Sequence, residues 1–220
     1  MPDDRAAILV DVDGTLVDTN WFHTVAWWRA FQDIGEDVAM SSIHRLIGMG
    51  SDQLVRRVIG RESDEASVAH SKRYEPFKDE IKAFPGAADL LGELARRGAR
   101  VVLATSSDEE DLDRLREAIG AEDAIDEVVS NGDVKRSKPA PDIFEAALKK
   151  FDLDPQRTMV VGDTTWDVEA AGKLDLEVVC VLTGGSTRAQ LDQAGAVAVY
   201  EDVAQLRDRL DASPLGKLLD

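Results

Sequence analysis

The sequence predicts an α/β fold: a parallel sheet with helices on both faces, interrupted once by an all-helical insert. Three observations carry that expectation. Short apolar runs recur at Ala6–Val12, Arg100–Ala104, Thr158–Val161 and Glu177–Leu182, each reading as a strand buried on both faces. Helical patterns follow at Ala87–Arg97, Glu109–Ile119, Asp142–Phe151 and Trp166–Lys173, and alternation of this kind predicts parallel pairing. Between Val17 and Ala83 the alternation stops, and only helical segments succeed one another.

The insert has its own character. Asn20–Gly35 is aromatic-rich, with Trp21, Phe22, Trp27, Trp28 and Phe31. Asp52–Ile59 and Glu62–Lys82 follow, the last dense in charge, and the turn Phe84-Pro85-Gly86 closes the block. Residues 1–17 and 83–220 thus read as one α/β core, and residues 18–82 as a helical subdomain inserted after the first strand.

Composition narrows the function. Across 220 residues, 26 basic against 43 acidic side chains leave a net charge of −17. Such a chain is a poor match for a nucleic-acid backbone, which needs a cationic face, and for anionic lipid. An apolar share of 44% suffices for a core and excludes a disordered chain. Cys180, the one cysteine, sits in the apolar run Val178–Leu182, so no intrachain disulfide forms and its thiol is expected in a buried strand. The amino terminus Met1-Pro2-Asp3-Asp4-Arg5 lacks the apolar stretch of a signal peptide, and no run approaches the roughly 20 apolar residues that span a bilayer. The expectation is a soluble, cytoplasmic protein. At the other end, Ser213-Pro214-Leu215-Gly216 reads as a frayed tail.

Chemistry concentrates where the predicted strands end. The first leads into Asp11-Val12-Asp13-Gly14-Thr15-Leu16. Strand alternation directs residues two apart to one face, so Asp11 and Asp13 are expected side by side, in need of a cation or a shared proton. An acidic turn is the plainer reading, and it fits poorly with a pair crowning Ile8-Leu9-Val10. A second pair, Asp163 and Asp167, follows Met159-Val160-Val161-Gly162, with the spacing that places both on one side of a first helical turn. Thr164 and Asp167 also have the spacing of a capping box, and first-turn acids suit the helix dipole. Capping accounts for Asp167 and leaves Asp163 unexplained. If the two strands are parallel neighbours, the carboxylates converge at one sheet edge, and with no His or Cys among them they suit Mg²⁺.

Two further positions stand near strand ends. Thr105 follows Val101-Val102-Leu103-Ala104, with Ser107 and Glu110 able to cap the helix after it. Lys138 lies in the rigid loop Ser137-Lys138-Pro139-Ala140-Pro141, before a helix starting near Pro141. The Gly-rich Leu182-Thr183-Gly184-Gly185-Ser186 reads as a strand exit, since it lacks the dinucleotide fingerprint.

Taken in order, Asp-x-Asp-Gly-Thr at Asp11–Thr15, the strand-end Thr105, Lys138 before Pro139, and Gly-Asp-x-x-x-Asp at Gly162–Asp167 resemble the haloacid dehalogenase-like superfamily of phosphohydrolases. The resemblance spans nearly the whole chain. It implies a Rossmann-like core, a mobile cap formed by the insert, and hydrolysis of a small phosphorylated metabolite. It makes Asp11 the nucleophile that becomes an aspartyl-phosphate and Asp13 the general acid/base. Thr105, Lys138 and the Ser106 backbone N–H would bind the phosphoryl oxygens. Mg²⁺ would be held by Asp11, the Asp13 carbonyl and Asp163, with Asp167 in support. Lys138 would also order the acidic cluster.

The same resemblance sets the rivals. Dehalogenating members lack the second aspartate of the first motif, which is present as Asp13. Phosphonatases need a cap lysine as Schiff base, and the insert offers Lys72, Lys78 and Lys82, all late in a charged helix. A sugar-phosphate mutase is the closer rival: Asp18-Thr19 and His23 resemble the hinge and early cap of β-phosphoglucomutase, where an equivalent threonine and histidine help control the acid/base. In the loop Gly48-Met49-Gly50-Ser51-Asp52, Ser51 stands where mutase relatives carry an arginine, which favours the phosphatase. A receiver-type signalling module combines similar residues, but carries its acid on a central strand and has no room for an insert of about 65 residues.

Overall fold

The computed structural model describes residues 5–107 and 109–220. Six strands form one parallel sheet: β1 (Ala7–Val10), β2 (Arg100–Ala104), β3 (Glu127–Val129), β4 (Thr158–Gly162), β5 (Glu177–Val181) and β6 (Ala198–Tyr200), in the order β3-β2-β1-β4-β5-β6. The two flanking strands β3 and β6 are additions to the four expected. Each has three residues and is partly exposed, so neither carries the continuous apolar run of a strand covered on both faces.

The helices are α1 (Asn20–Asp33), α2 (Met40–His44), α3 (Ser51–Ile59), α4 (Asp64–Tyr74), α5 (Ala87–Arg96), α6 (Glu109–Ile119), α7 (Asp142–Lys150), α8 (Thr165–Gly172), α9 (Arg188–Ala194), α10 (Val203–Asp208) and α11 (Pro214–Leu219). Alternate residues of β1 feed opposite cores. Ile8 and Val10 pack with Leu90, Leu94 and Leu206, from α5 and α10. Ala7 and Leu9 pack with Phe144, Ala147, Val168 and Leu191, from α7, α8 and α9. Both faces are thus covered, as parallel sheets require. Cys180 is buried in β5, as its apolar run suggested.

Residues 20–80 build a third apolar cluster of their own, with Trp27, Phe31, Ile43, Leu54, Val55 and Ala66. The insert joins the core where Val17 bridges Ala83 and the Asp18 N–H donates to Lys82 O at 2.9 Å. Its last helix stops earlier than Lys82. Pro76 cannot supply an N–H to a continuing α-helix, and the chain tightens into a 3-10 turn over Glu75–Glu80.

The carboxyl end corrects the sequence reading. Ser213-Pro214-Leu215-Gly216 is no frayed tail but the start of α11: the Ser213 hydroxyl caps the helix by accepting the Gly216 N–H at 3.1 Å, Pro214 occupies the first turn, and Leu215 is fully buried. Cap and proline together form a helix start that fits as well as a tail does to the composition. No helix among the described residues is long and apolar enough to cross a membrane.

Candidate active site

The acids gather where the sheet changes direction. β1 and β4 are parallel neighbours, Val10 opposite Val161, and the chain runs outward from them to β2 and β3 on one side and to β5 and β6 on the other. Such a divergence opens a crevice at the carboxyl ends of the strands. Asp11, just past β1, still donates its N–H to Val161 O at 2.9 Å, so the ladder fixes its backbone. Asp163 follows β4 directly, and Asp167 lies in the first turn of α8. One carboxylate oxygen from each lies within 4.8 Å of the other two, and all three side chains are buried.

The cluster is held by donors from four parts of the chain. Lys138 Nζ lies 2.5 Å from Asp11 Oδ1 and 2.7 Å from Asp167 Oδ1, and the lysine is itself 2% exposed. Thr15 Oγ1 donates to Asp163 Oδ1 at 2.8 Å, and Asn20 Nδ2 to Asp163 Oδ2 at 3.1 Å. Thr164 donates its N–H and Oγ1 to Asp167 Oδ2 at 3.1 and 2.6 Å, which completes the capping box read from the sequence. Close backbone approach makes the fit possible. A Cβ at Gly14, whose φ is +79°, or at Gly184 would overlap the Asn20 amide and the Asp163 carboxylate.

With all three carboxylates ionised against one ammonium, two negative charges would stand unbalanced. Burial pushes the Asp11 carboxyl up to about 7, with Lys138 pulling against it and Asp167 adding to the rise. Burial, then Asp11 and Asp167, push Asp163 well above the usual carboxylate range. Burial alone would discharge Lys138, but Asp11 and Asp167 hold its ammonium above its ordinary value. An all-oxygen cluster with this excess fits a hard divalent cation. The buried Asn20 Oδ1, which has no hydrogen-bond partner, adds an unsatisfied acceptor on a side chain that touches the cluster.

Asp13 does not share that cluster, contrary to the side-by-side placement that strand alternation suggested. β1 ends at Val10, and the Val12 carbonyl then collects the N–H groups of Thr15, Leu16 and Val17 in a tight turn, so the strand period no longer applies. Its carboxylate instead accepts from Thr19 Oγ1 at 2.6 Å, Ser107 Oγ at 2.6 Å and Thr105 Oγ1 at 3.4 Å, and His23 Nε2 lies 3.4 Å away. Burial opposes its charge, but the hydrogen bonds and charge of His23, with Ser107 and Thr19, hold Asp13 well below the usual carboxylate range.

Asp13 faces a cavity of about 200 Å³ between the strand tips and the insert. Ser106 and Ser107 line it from the core; Trp27, Ser51, His70 and Tyr74 line it from the insert. His23 stacks on Tyr74 at 4.1 Å, His70 stacks on Trp27 at 4.1 Å, and His23 Nδ1 lies 3.3 Å from His70 Nε2. Asp11 does not line this space; its carboxylate is turned to Lys138.

The structure therefore brings Asp11, Lys138, Asp163 and Asp167 into one buried cluster, and Thr19, His23 and Thr105 around the Asp13 carboxylate, with Ser106 on the cavity wall. Thr15, Asn20 and Ser107 play parts that the sequence reading did not assign. Ser107 was expected as a helix cap with Glu110, a pairing outside the described residues, whereas its hydroxyl serves Asp13. Asn20 opens α1 with nothing in its local pattern to tie it to Asp163, 143 residues away.

A parallel sheet with buried acids at its switch point, and a separate acid facing a cavity under inserted helices, defines the class: an α/β enzyme whose acidic cluster suits a cation. Residues 6–175 match the haloacid dehalogenase-like hydrolase family, and the chain belongs to it. It is 31% identical to a phosphoglycolate phosphatase of Rhodospirillum rubrum, over 93% of this chain and 90% of that one. It is 30% identical to the protein CbbY of Cereibacter sphaeroides, over 91% and 93% of the two chains. Among solved structures, a hydrolase from Pseudomonas syringae superimposes with a TM-score of 0.88 at 32% identity, covering 94% of this chain and 99% of that one.

Proposed function

We propose that this chain is a Mg²⁺-dependent phosphatase that hydrolyses a small phosphate monoester through an aspartyl-phosphate on Asp11. One observation carries the reading: two acids two residues apart stand in different surroundings suited to different duties. Asp11 lies with Lys138, Asp163 and Asp167, where a cation offsets the charge of a nucleophilic carboxylate meeting an anionic phosphate. Mg²⁺ would be held by Asp11, Asp163 and the Asp13 carbonyl. Asp167 gives one oxygen to its helix cap and the other to Lys138, which supports an auxiliary part for it.

Asp11 Oδ attacks phosphorus, and the bond to the leaving oxygen breaks. Lys138, the Thr105 hydroxyl and the Ser106 N–H stabilise the phosphoryl oxygens as charge develops. Asp13 is held as a carboxylate, the form that takes a proton from the water that cleaves the intermediate. For the leaving oxygen, a proton arrives through Asp13 from its neighbours, of which His23, 3.4 Å away, is the one built to carry it. In this reading residues 1–17 and 83–220 are the catalytic unit and residues 18–82 a cap, hinged where Val17 meets Ala83. The test is phosphate release from p-nitrophenyl phosphate with Mg²⁺. Release by the native chain and none by Asp11→Asn supports the reading; equal release by both removes it.

A mutase is the second reading, favoured by the contacts of Thr19 and His23 with the acid/base Asp13. Rapid interconversion of two hexose phosphates after addition of a hexose bisphosphate, with little free phosphate, would establish it. Ser51 lines the cavity as a short neutral side chain, and its place there supports the phosphatase.

A further inference from the structure

The cavity that faces Asp13 has a chemical character of its own. At about 200 Å³ it falls below the usual range for ligand pockets, so its walls lie close to whatever small group enters it. Among the described lining residues Lys78 is the one Lys or Arg, and its ammonium is already committed. Nζ lies 2.6 Å from Asp111 Oδ1 and 2.8 Å from Glu75 Oε2, so two carboxylates surround one positive charge. Asp111 itself lines the cavity beside it.

The histidines offer no spare charge either. His23 presents Nε2 to Asp13 and Nδ1 to His70. Burial, with His23 adding to it, holds His70 well below the ordinary histidine value, which disfavours a charge on that ring. A carboxylate or second phosphate placed here would lose water and meet Asp111 and Asp13 with no uncommitted Lys or Arg among the described lining residues, an arrangement that disfavours its binding. What the walls do offer is hydroxyl and aromatic surface. Ser51, Ser67 and Ser71 face the cavity from the insert, and each hydroxyl both donates and accepts. Trp27 and Tyr74 add aromatic surface for a carbon skeleton.

We propose that the site takes monophosphate esters of a short uncharged polyol or sugar and discriminates against esters bearing a carboxylate or a second phosphate. Specificity comes from Lys78 being neutralised by Asp111 and Glu75 and from the serine-lined wall. This rests on the phosphatase reading above, and it separates the chain from a phosphoglycolate-type preference despite the similarity to an enzyme of that name.

The experiment compares kcat/KM for glycerol 3-phosphate and 3-phosphoglycerate, which differ in a hydroxymethyl against a carboxylate, with p-nitrophenyl phosphate as reference. The neutral ester should be favoured by about tenfold or more, the effect of placing like charges together without a partner. Asp111→Asn frees Lys78 from one carboxylate and should move the ratio several-fold toward 3-phosphoglycerate. Equal or greater activity on 3-phosphoglycerate, beside normal turnover of p-nitrophenyl phosphate, overturns this specificity while leaving the phosphatase standing. An unmoved ratio in a folded, active Asp111→Asn enzyme overturns the part given to Lys78 and Asp111. Failure on all three esters removes the phosphatase and this proposal with it.

Discussion

The surroundings of Asp11 and of Asp13, two residues on, differ in the charges and donors they present. Asp11 has one close cationic partner, Lys138, which it shares with Asp167, and burial lifts its carboxyl to about 7. Asp13 has hydroxyl donors on both oxygens and an imidazole beside it, and sits well below the usual range. The difference comes from direction. Asp11 prolongs the ladder against β4 and faces the acids of that strand's exit, whereas the turn after Val12 swings Asp13 toward the exit of β2 and the first helix of the insert. A short motif can thus place one carboxylate among buried acids and a lysine and another among hydroxyls and an imidazole, provided the strand ends between them.

That contrast can be broken at either pocket. The largest effect is expected at Asp11: Asp11→Asn should lower kcat by about 10⁴-fold or more, as loss of a residue acting within a catalytic unit does. The same variant removes an ionised group that burial disfavours. A carboxyl raised in the folded state costs stability as pH rises from its unfolded value through its folded one. At neutral pH in EDTA, Asp11→Asn should therefore melt higher, by roughly 2–4 °C per kcal/mol recovered. A lower Tm in calorimetry would show that the carboxylate contributes more than its burial costs.

At Asp13 the loss should be smaller. Asp13→Asn removes proton transfer and leaves the nucleophile, so kcat should fall by about 10²–10⁴-fold. A variant with unchanged kcat across the pH range would show that Asp13 takes no part in proton transfer. Asn20→Ala tests the donor beneath Asp163: affinity for Mg²⁺, read by titration of activity after EDTA treatment, should fall by about 10–100-fold. Asp163→Asn should weaken it more than Asp167→Asn, whose oxygens are engaged by Thr164 and Lys138. The reverse order would exchange their parts. Thr19→Val should be the mildest change, lowering kcat by roughly tenfold through one lost hydrogen bond to a charged group, with Mg²⁺ affinity intact.

The sheet and the acidic cluster were legible because each rests on a local pattern. Strands buried on both faces read as apolar runs, and Asp11 and Asp163 stand directly after them, so parallel pairing of β1 and β4 brings those two together while the first turn of α8 adds Asp167. The short edge strands β3 and β6 and the carboxyl-terminal helix were less visible, since three-residue strands and a Ser-Pro start have no distinctive period. Separation of Asp13 from Asp11 was illegible for a different reason. It depends on where the strand stops, and hydrogen bonds to the Val12 carbonyl decide that. Likewise, Asn20 and Ser107 reach acids far along the chain, and nothing nearby in sequence announces such contacts.

In the proposed mechanism Asp11 takes the phosphoryl group before water does. The stereochemical course at phosphorus tests it most directly, with a chiral thiophosphate monoester hydrolysed in isotopically labelled water. Two in-line displacements, by Asp11 and then by water activated at Asp13, return product with retained configuration. Inversion would mean that water attacks the ester directly, and would contradict the division of labour between the two pockets.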